Sequence, residues 1–228
     1  MNSLAGIRNA RILHVRGDVS VMRGKDNSKF KPTQKTLLKT GDFIITGDKS
    51  FAIVRSKASV YKISSNSKVK LLLETPEIIN SDVRFGSIVV EFFKNKLSKS
   101  IGKQLTVKSK TSVSGVRGTT FFTYVDKKTN SSTLSVMKGA VDFRGSNSKE
   151  NILVGKGSSS MTNKKLRALK SRELGFESKI NWNVTGKGNM NHQDGLYSAI
   201  EKTWEKHKYE QVKKWNKRSE EMENLWNQ

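Results

Sequence analysis

The chain lacks cysteine and is poor in proline and histidine, with two prolines and three histidines among 228 residues. The absence of cysteine excludes disulfide bridges, thiol catalysis and cysteine-ligated zinc or iron–sulfur sites. The three histidines are far apart in sequence, so we expect no metal site. The sequence contains no apolar run long enough for a membrane-spanning helix. It also contains no nucleophile elbow, P-loop or dinucleotide-binding glycine motif, so we expect a non-enzymatic protein without a cofactor.

Acidic residues are scarce, and the resulting charge is uneven. The chain has 43 Lys and Arg against 20 Asp and Glu, a net charge of +23. The last 35 residues hold seven of each sign, so residues 1–193 carry the whole excess. Such an excess favours an anionic partner such as nucleic acid, lipopolysaccharide or a cell-wall polymer, although it is also typical of a merely solvated surface. The densest basic stretch offers four candidate contacts: Lys94, Lys96, Lys99 and Lys103.

Residues 11–161 carry the pattern of short β-strands. Val69, Leu71 and Leu73 alternate with Lys68 and Lys70, which is the period of a half-buried strand. Segments richer in β-branched and aromatic residues predict more buried strands, and glycine turns separate the strands. The pattern therefore predicts a mainly β domain. Whether the domain is solenoid-like or a sandwich stays open.

The C-terminal part predicts helices. A short helix is expected over 163–174, followed by a polar linker to residue 193 and an amphipathic helix over 194–228. One face of this long helix carries aromatic residues at helical spacing, which makes them binding candidates: Tyr197, Trp204, Trp215 and Trp226. This face either packs on the β domain or binds a partner helix or a second copy. With residues 1–10 as an N-terminal extension, the sequence predicts four regions: 1–10, 11–161, 162–193 and 194–228.

A run of motifs within residues 11–161 resembles the FecR-type domain family. The signature-like segment SVSGVRGTTF occupies 112–121, and five other segments occur in the family's order. These are GDVSV at 17–21, LLKTGDFIITG at 37–47, VRFGSI at 83–88, LSVMKGAV at 134–141 and LVGKG at 153–157.

The resemblance implies an all-β extracytoplasmic sensing or scaffold domain, without the anti-sigma segment and membrane span of complete iron-transport regulators. Within the signature, Arg117 is a candidate for binding an anionic ligand, with a structural role in locking the loop as the alternative. FecR-type domains act outside the inner membrane. We therefore expect a periplasmic location with the signal peptide omitted from this sequence, whereas the sequence by itself indicates a cytoplasmic chain because 1–16 lacks an apolar segment.

Together these features predict a non-enzymatic binding, scaffold or signalling protein of the bacterial envelope. It would contact a protein partner, or a second copy of itself, through the β domain and the C-terminal helix. The alternative is a polyanion-binding protein that uses the basic β region.

Overall fold

The computed structural model describes residues 10–56, 58–73, 79–93, 105–116, 118–163, 168–186 and 195–226. The side chains of Ile79 and of residues 224–226 are outside this description. Within these ranges fifteen strands precede one long α-helix, α1 (Leu196–Trp226). The strands are β1 (Arg11–Arg16), β2 (Val19–Met22), β3 (Lys29–Phe30), β4 (Phe43–Thr46), β5 (Phe51–Arg55), β6 (Ser59–Ile63), β7 (Ser67–Leu73), β8 (Ile79–Phe92), β9 (Leu105–Lys108), β10 (Ser112–Val116), β11 (Thr120–Val125), β12 (Ser132–Lys138), β13 (Ala140–Gly145), β14 (Ile152–Gly155) and β15 (Ser159–Thr162).

The strands form two sheets that share one strand, β8. The central sheet has the order β1-β5-β6-β8-β11-β12-β15, and the outer sheet has the order β3-β2-β4-β7-β8-β9-β10-β13-β14. The first half of β8 pairs with β7 and β9 of the outer sheet, whereas its second half pairs with β6 and β11 of the central sheet. Within the described strands every pairing is antiparallel except that of β8 with β9.

Strand β8 changes sheet at Gly86. This residue has a φ of +85°, which is a backbone conformation that side chains with a Cβ adopt only with strain. A Cβ at this position would also overlap the Ser67 side chain and lie 2.5 Å from its Cα. Glycine is therefore required at the bend both by its dihedral angle and by the close approach of β7.

The main core lies between the two sheets. It contains Ile12, Tyr61 and Phe121 from the central sheet and Leu71 and Phe143 from the outer sheet, each almost fully buried. The outer sheet turns its other face to solvent, which explains the alternation of apolar and charged residues in β7 and β13. The mainly β fold with a long C-terminal helix is thus confirmed, and the two facing sheets form a sandwich.

A second apolar cluster covers the other face of the central sheet. Strands β5, β6, β8, β11 and β15 contribute apolar side chains from that face, and the chain after residue 174 covers them with Phe176, Ile180, Val184 and the start of α1. Because the central sheet is buried on both faces, a strand such as β5 does not alternate, and Phe51–Val54 are buried without a break. The molecule is therefore layered as outer sheet, central sheet and C-terminal cover.

The prediction of a helix over 163–174 is wrong for residues 168–174, which contain no helix. Residues 164–167 lie outside the described residues. The backbone of Leu169 and Arg172 instead hydrogen-bonds to β15, with Leu169 N donating to Met161 O at 3.0 Å. Leu169 and Leu174 pack against the second cluster, so tertiary contacts override the local helical pattern.

The segment predicted as a polar linker is not simply a solvated loop. Phe176 and Ile180 are buried, and a 3₁₀ turn forms at Glu177–Lys179.

Replacing Gly86 by alanine tests the bend of β8. We expect Gly86→Ala to lower the free energy of unfolding by about 3 kcal/mol, because it adds a strained φ to a steric clash in a packed region. The matched control is Gly155→Ala, where an added Cβ meets no atom within 4 Å. Both variants are measured by chemical denaturation. Equal losses in the free energy of unfolding would contradict the role assigned to Gly86.

Candidate functional site

The structure describes only some of the residues that the sequence predicts to bind a partner or an anion. Five predicted cations lie outside the described residues: Arg117, Lys94, Lys96, Lys99 and Lys103. Their roles stay predictions, and Gly118 beside Arg117 has a positive φ of +65°. The aromatic candidates Tyr197, Trp204 and Trp215 all lie on α1, and Trp226 is its last residue.

The first three turns of α1 are anchored on the central sheet. Leu196, Ile200 and Trp204 are almost fully buried and belong to the second apolar cluster. Their spacing of four residues places them on one face of the helix. Burying side chains of this size stabilises the docked helix by roughly 2 kcal/mol each.

Tyr197 adds a polar anchor to the same contact. Its ring stacks on Tyr124 of β11, with centroids 4.7 Å apart. Its hydroxyl hydrogen-bonds to the Ser87 hydroxyl at 2.9 Å, directly after the bend of β8. Burial raises the pKa of Tyr197, and burial together with the Asp126 carboxylate raises the pKa of Tyr124. Both phenols therefore stay protonated at neutral pH and can serve as hydrogen-bond donors.

Beyond this anchor the helix leaves the β domain. Every described side chain from Gln211 to Glu223 is exposed. The exposed set includes three large apolar residues: Val212 at 58%, Trp215 at 73% and Met222 at 61%. Trp215 and Met222 follow Trp204 by about three and five turns, so the apolar face that is buried at the anchor continues on the free part of the helix. We call residues 211–226 the projecting helix.

The anchor also contains a buried cation that the sequence analysis did not single out. Lys62 of β6 is 3% exposed, and its ammonium donates a hydrogen bond to the Asn181 carbonyl at 3.3 Å. Burial lowers the pKa of Lys62 to about 8. The only sequence signal is its position two residues after Val60, on the face of β6 that points towards the helix. A lysine in such a position is costly to bury, so the cover over the central sheet is less stable than its apolar area suggests.

No group of three or more His, Asp or Glu residues that could hold a metal ion is found within the described ranges. Among the helices that the structure describes, none is both long and apolar enough to cross a bilayer. What the helix α1 does present beyond its anchor is a stripe of exposed apolar side chains, Trp215 and Met222.

Comparisons with known proteins find distant structural similarity. No protein-family model matches the chain, and no curated protein matches its sequence. Two crystal structures of a candidate anti-sigma factor from Parabacteroides distasonis ATCC 8503, at 2.50 Å and 1.65 Å resolution, align with a TM-score of 0.48 and 14% sequence identity. The alignment covers 57% of this chain and 59% of those chains, so it spans less than two thirds of their length.

A matched pair of tryptophan substitutions tests the division of α1 into an anchor and a projecting helix. We expect Trp204→Ala to destabilise the fold by about 3 kcal/mol, because it leaves a cavity in the second cluster. Trp215→Ala should change the free energy of unfolding by less than about 0.5 kcal/mol, because its side chain contacts solvent. Denaturation is measured on dilute protein, so that association does not contribute. Equal losses in the two variants would contradict the division.

Proposed function

We propose that this protein is a non-enzymatic binding and scaffold module of the FecR type, acting in the bacterial envelope. We assign the β module to residues 11–161, the cover to 162–193 and the binding element to the helix over 194–228. The observation that carries the proposal is the projecting helix, which extends the buried apolar face of α1 into solvent. The ordered motifs in 17–157 support the FecR assignment, and that assignment supports a periplasmic location.

The occupant that best fits the projecting helix is a second copy of it in antiparallel orientation. Its charges fall into a basic block (Lys213, Lys214, Lys217 and Arg218) followed by an acidic block (Glu220, Glu221 and Glu223). An antiparallel pair centred near residue 218 sets each basic block against the partner's acidic block. A parallel pair opposes like charges instead, which is unfavourable.

The apolar residues support the same register. With the pair centred near residue 218, Trp215 of one copy meets Met222 of the other, and the overlap runs from about residue 211 to residue 226. This overlap matches the part of α1 in which the described side chains are exposed. Its length of 16 residues corresponds to about 24 Å of helix, enough for more than four turns of contact. The charge pattern therefore sets the orientation, and the free apolar stripe supplies the contact.

Block-swapped variants test this proposal by sedimentation velocity or light scattering. We expect the wild-type chain to self-associate. The association constant of the Trp215→Ala, Met222→Ala double variant should be at least tenfold lower, because this variant loses the apolar centre of the contact. Replacing Glu220, Glu221 and Glu223 by lysine should abolish association. Additional replacement of Lys213, Lys214, Lys217 and Arg218 by glutamate should restore it.

Mixing the block-swapped variant with the wild-type chain tests whether the paired helices are antiparallel or parallel. The swapped variant should not pair with the wild-type chain if the helices are antiparallel, because like blocks would then face each other. Preferred pairing of wild type with swapped variant would show parallel helices. A wild-type chain that stays monomeric, and that loses no interaction with envelope proteins when 211–228 is deleted, would contradict the proposed role of the helix.

A second candidate function is polyanion binding by the solvent face of the outer sheet. The described cations on this face include Lys68, Lys70, Arg84, Lys108 and Arg144. Two acids share it, Asp82, which pairs with Arg84 at 3.0 Å, and the exposed Asp142. Lys68 and Lys70 also flank the Phe43 ring, with their ammonium groups 4.9 and 5.4 Å from its centroid. A mixed cationic and aromatic surface of this kind suits a charged polymer.

The salt dependence of binding tests this second function. We expect affinity for heparin, lipopolysaccharide or single-stranded DNA to fall steeply with salt, and Lys68→Gln with Lys70→Gln to reduce the log–log slope by about two. The control is Lys202→Gln with Lys206→Gln, which removes the same charge from exposed positions on α1. If the Lys68 and Lys70 substitutions leave polymer binding unchanged, or weaken it no more than the Lys202 and Lys206 substitutions do, the outer-sheet face is not the binding site.

A further inference from the structure

A small open cleft lies where α1 leaves the β domain. The extended segment 169–172, which runs beside β15, forms one wall, and the fourth and fifth turns of the helix form the other. The volume of the cleft is about 190 Å³. Its lining residues include Leu169, Lys170, Arg172, His207, Glu210 and Lys214.

Positive charge dominates this cleft. Lys170, Arg172 and Lys214 face it from both walls, and Glu210 is the one carboxylate among the lining residues. Within the described part of the chain, none of the three cations forms an ion pair with a carboxylate. The walls thus bring together three cations that repel one another, and Glu210 offsets only one of the three charges.

His207 adds a buried polar group without a partner. It is 4% exposed and stacks on Trp204, with ring centroids 5.6 Å apart. Neither of its ring nitrogens has a hydrogen-bond partner among the described residues. An unsatisfied buried polar group destabilises the fold, and a ligand that accepted a hydrogen bond from this ring would offset that cost.

The surroundings of His207 oppose its protonation. Burial lowers its pKa, and the nearby Arg172 and Lys214 lower it further, whereas Glu210 raises it. The imidazole is therefore neutral at pH 7 and has one N–H to donate. A bound anion would add negative charge beside the ring, so the protonated form would become more favourable and the pKa would rise.

We propose that this cleft is a binding site for a phosphate-type oxyanion, held by the His207 ring, the Arg172 guanidinium and the Lys214 ammonium. The planar guanidinium suits two phosphate oxygens, while the histidine N–H and the ammonium supply single donors. The cleft is open on one side, so the ligand is either free phosphate or the phosphate group of a small phosphomonoester. Because its donors come from both walls, the anion would tie segment 169–172 to α1 and fix the direction in which the projecting helix leaves the domain.

The test follows the histidine ring signals of the full-length chain by NMR during titration with inorganic phosphate, at ionic strength kept constant with chloride. We expect the His207 signals to shift saturably and the pKa of His207 to rise on binding. Arg172→Ala and Lys214→Ala should each weaken the affinity about tenfold, because each removes a charge-assisted contact. Lys202→Ala, on the opposite face of the same helix, should leave it unchanged. A parallel titration with glycerol 3-phosphate distinguishes a free anion from an ester by which ligand binds more tightly.

Two results would overturn the proposal. One is that neither phosphate ligand moves the His207 signals more than chloride does. The other is that the Arg172→Ala, Lys214→Ala double variant binds as tightly as wild type.

His207→Phe, which keeps the stacking on Trp204, assigns the ring signals. Should that variant lose helix by circular dichroism, the two cation variants decide the question by calorimetry. Monomeric protein is sufficient for all these measurements, so their outcome is independent of whether the projecting helix pairs.

Discussion

The passage of β8 from one sheet to the other at Gly86 is the constraint on which the rest of the fold depends. This strand pairs with β7 before the bend and with β6 and β11 after it, so it places the two sheets face to face around the main core. The bend also puts Ser87 on the helix-facing side, where its hydroxyl meets Tyr197. A local backbone requirement, a positive φ at a residue in close contact with Ser67, therefore sets the sandwich and gives α1 its polar anchor.

Sequence periodicity predicted the strands and the long helix well, because burial on one face leaves a direct trace in the alternation of residues such as Lys68, Val69 and Lys70. It could not predict which strands pair, since alternation identifies a face and contains no information about the partner. It failed over 168–174 because Leu166, Leu169 and Leu174 make only a partial helical stripe, whereas Leu169 and Leu174 pack against the second cluster. Lys62 was missed for a similar reason, because its burial depends on a cover contributed by residues more than a hundred positions later.

The amphipathic face of α1 shows why a stripe alone does not define an interface. Ile200, Trp204, Trp215 and Met222 look equivalent in sequence, yet the sheet ends beneath the third turn and only the first two of them are buried. The free part remains helical with the help of polar contacts such as the Lys217–Glu221 pair, whose charged atoms are 3.7 Å apart. Such an exposed pair contributes only a few tenths of a kcal/mol. A partner that covered Trp215 would therefore stabilise the projecting helix as well as bind it.

The two proposed sites on α1 are linked by Lys214, which lines the cleft and also belongs to the basic block of the projecting helix. An oxyanion beside Lys214 would occupy one of its donors and fix the first turn of the free helix. If this ordering favours antiparallel pairing, pairing must favour anion binding by the same factor, since the coupling between two binding equilibria is reciprocal. If instead the partner's acidic block competes with the anion for Lys214, the coupling changes sign. The sign of that coupling, measured as the effect of phosphate on the association constant, would distinguish an anion that supports assembly from one that opposes it.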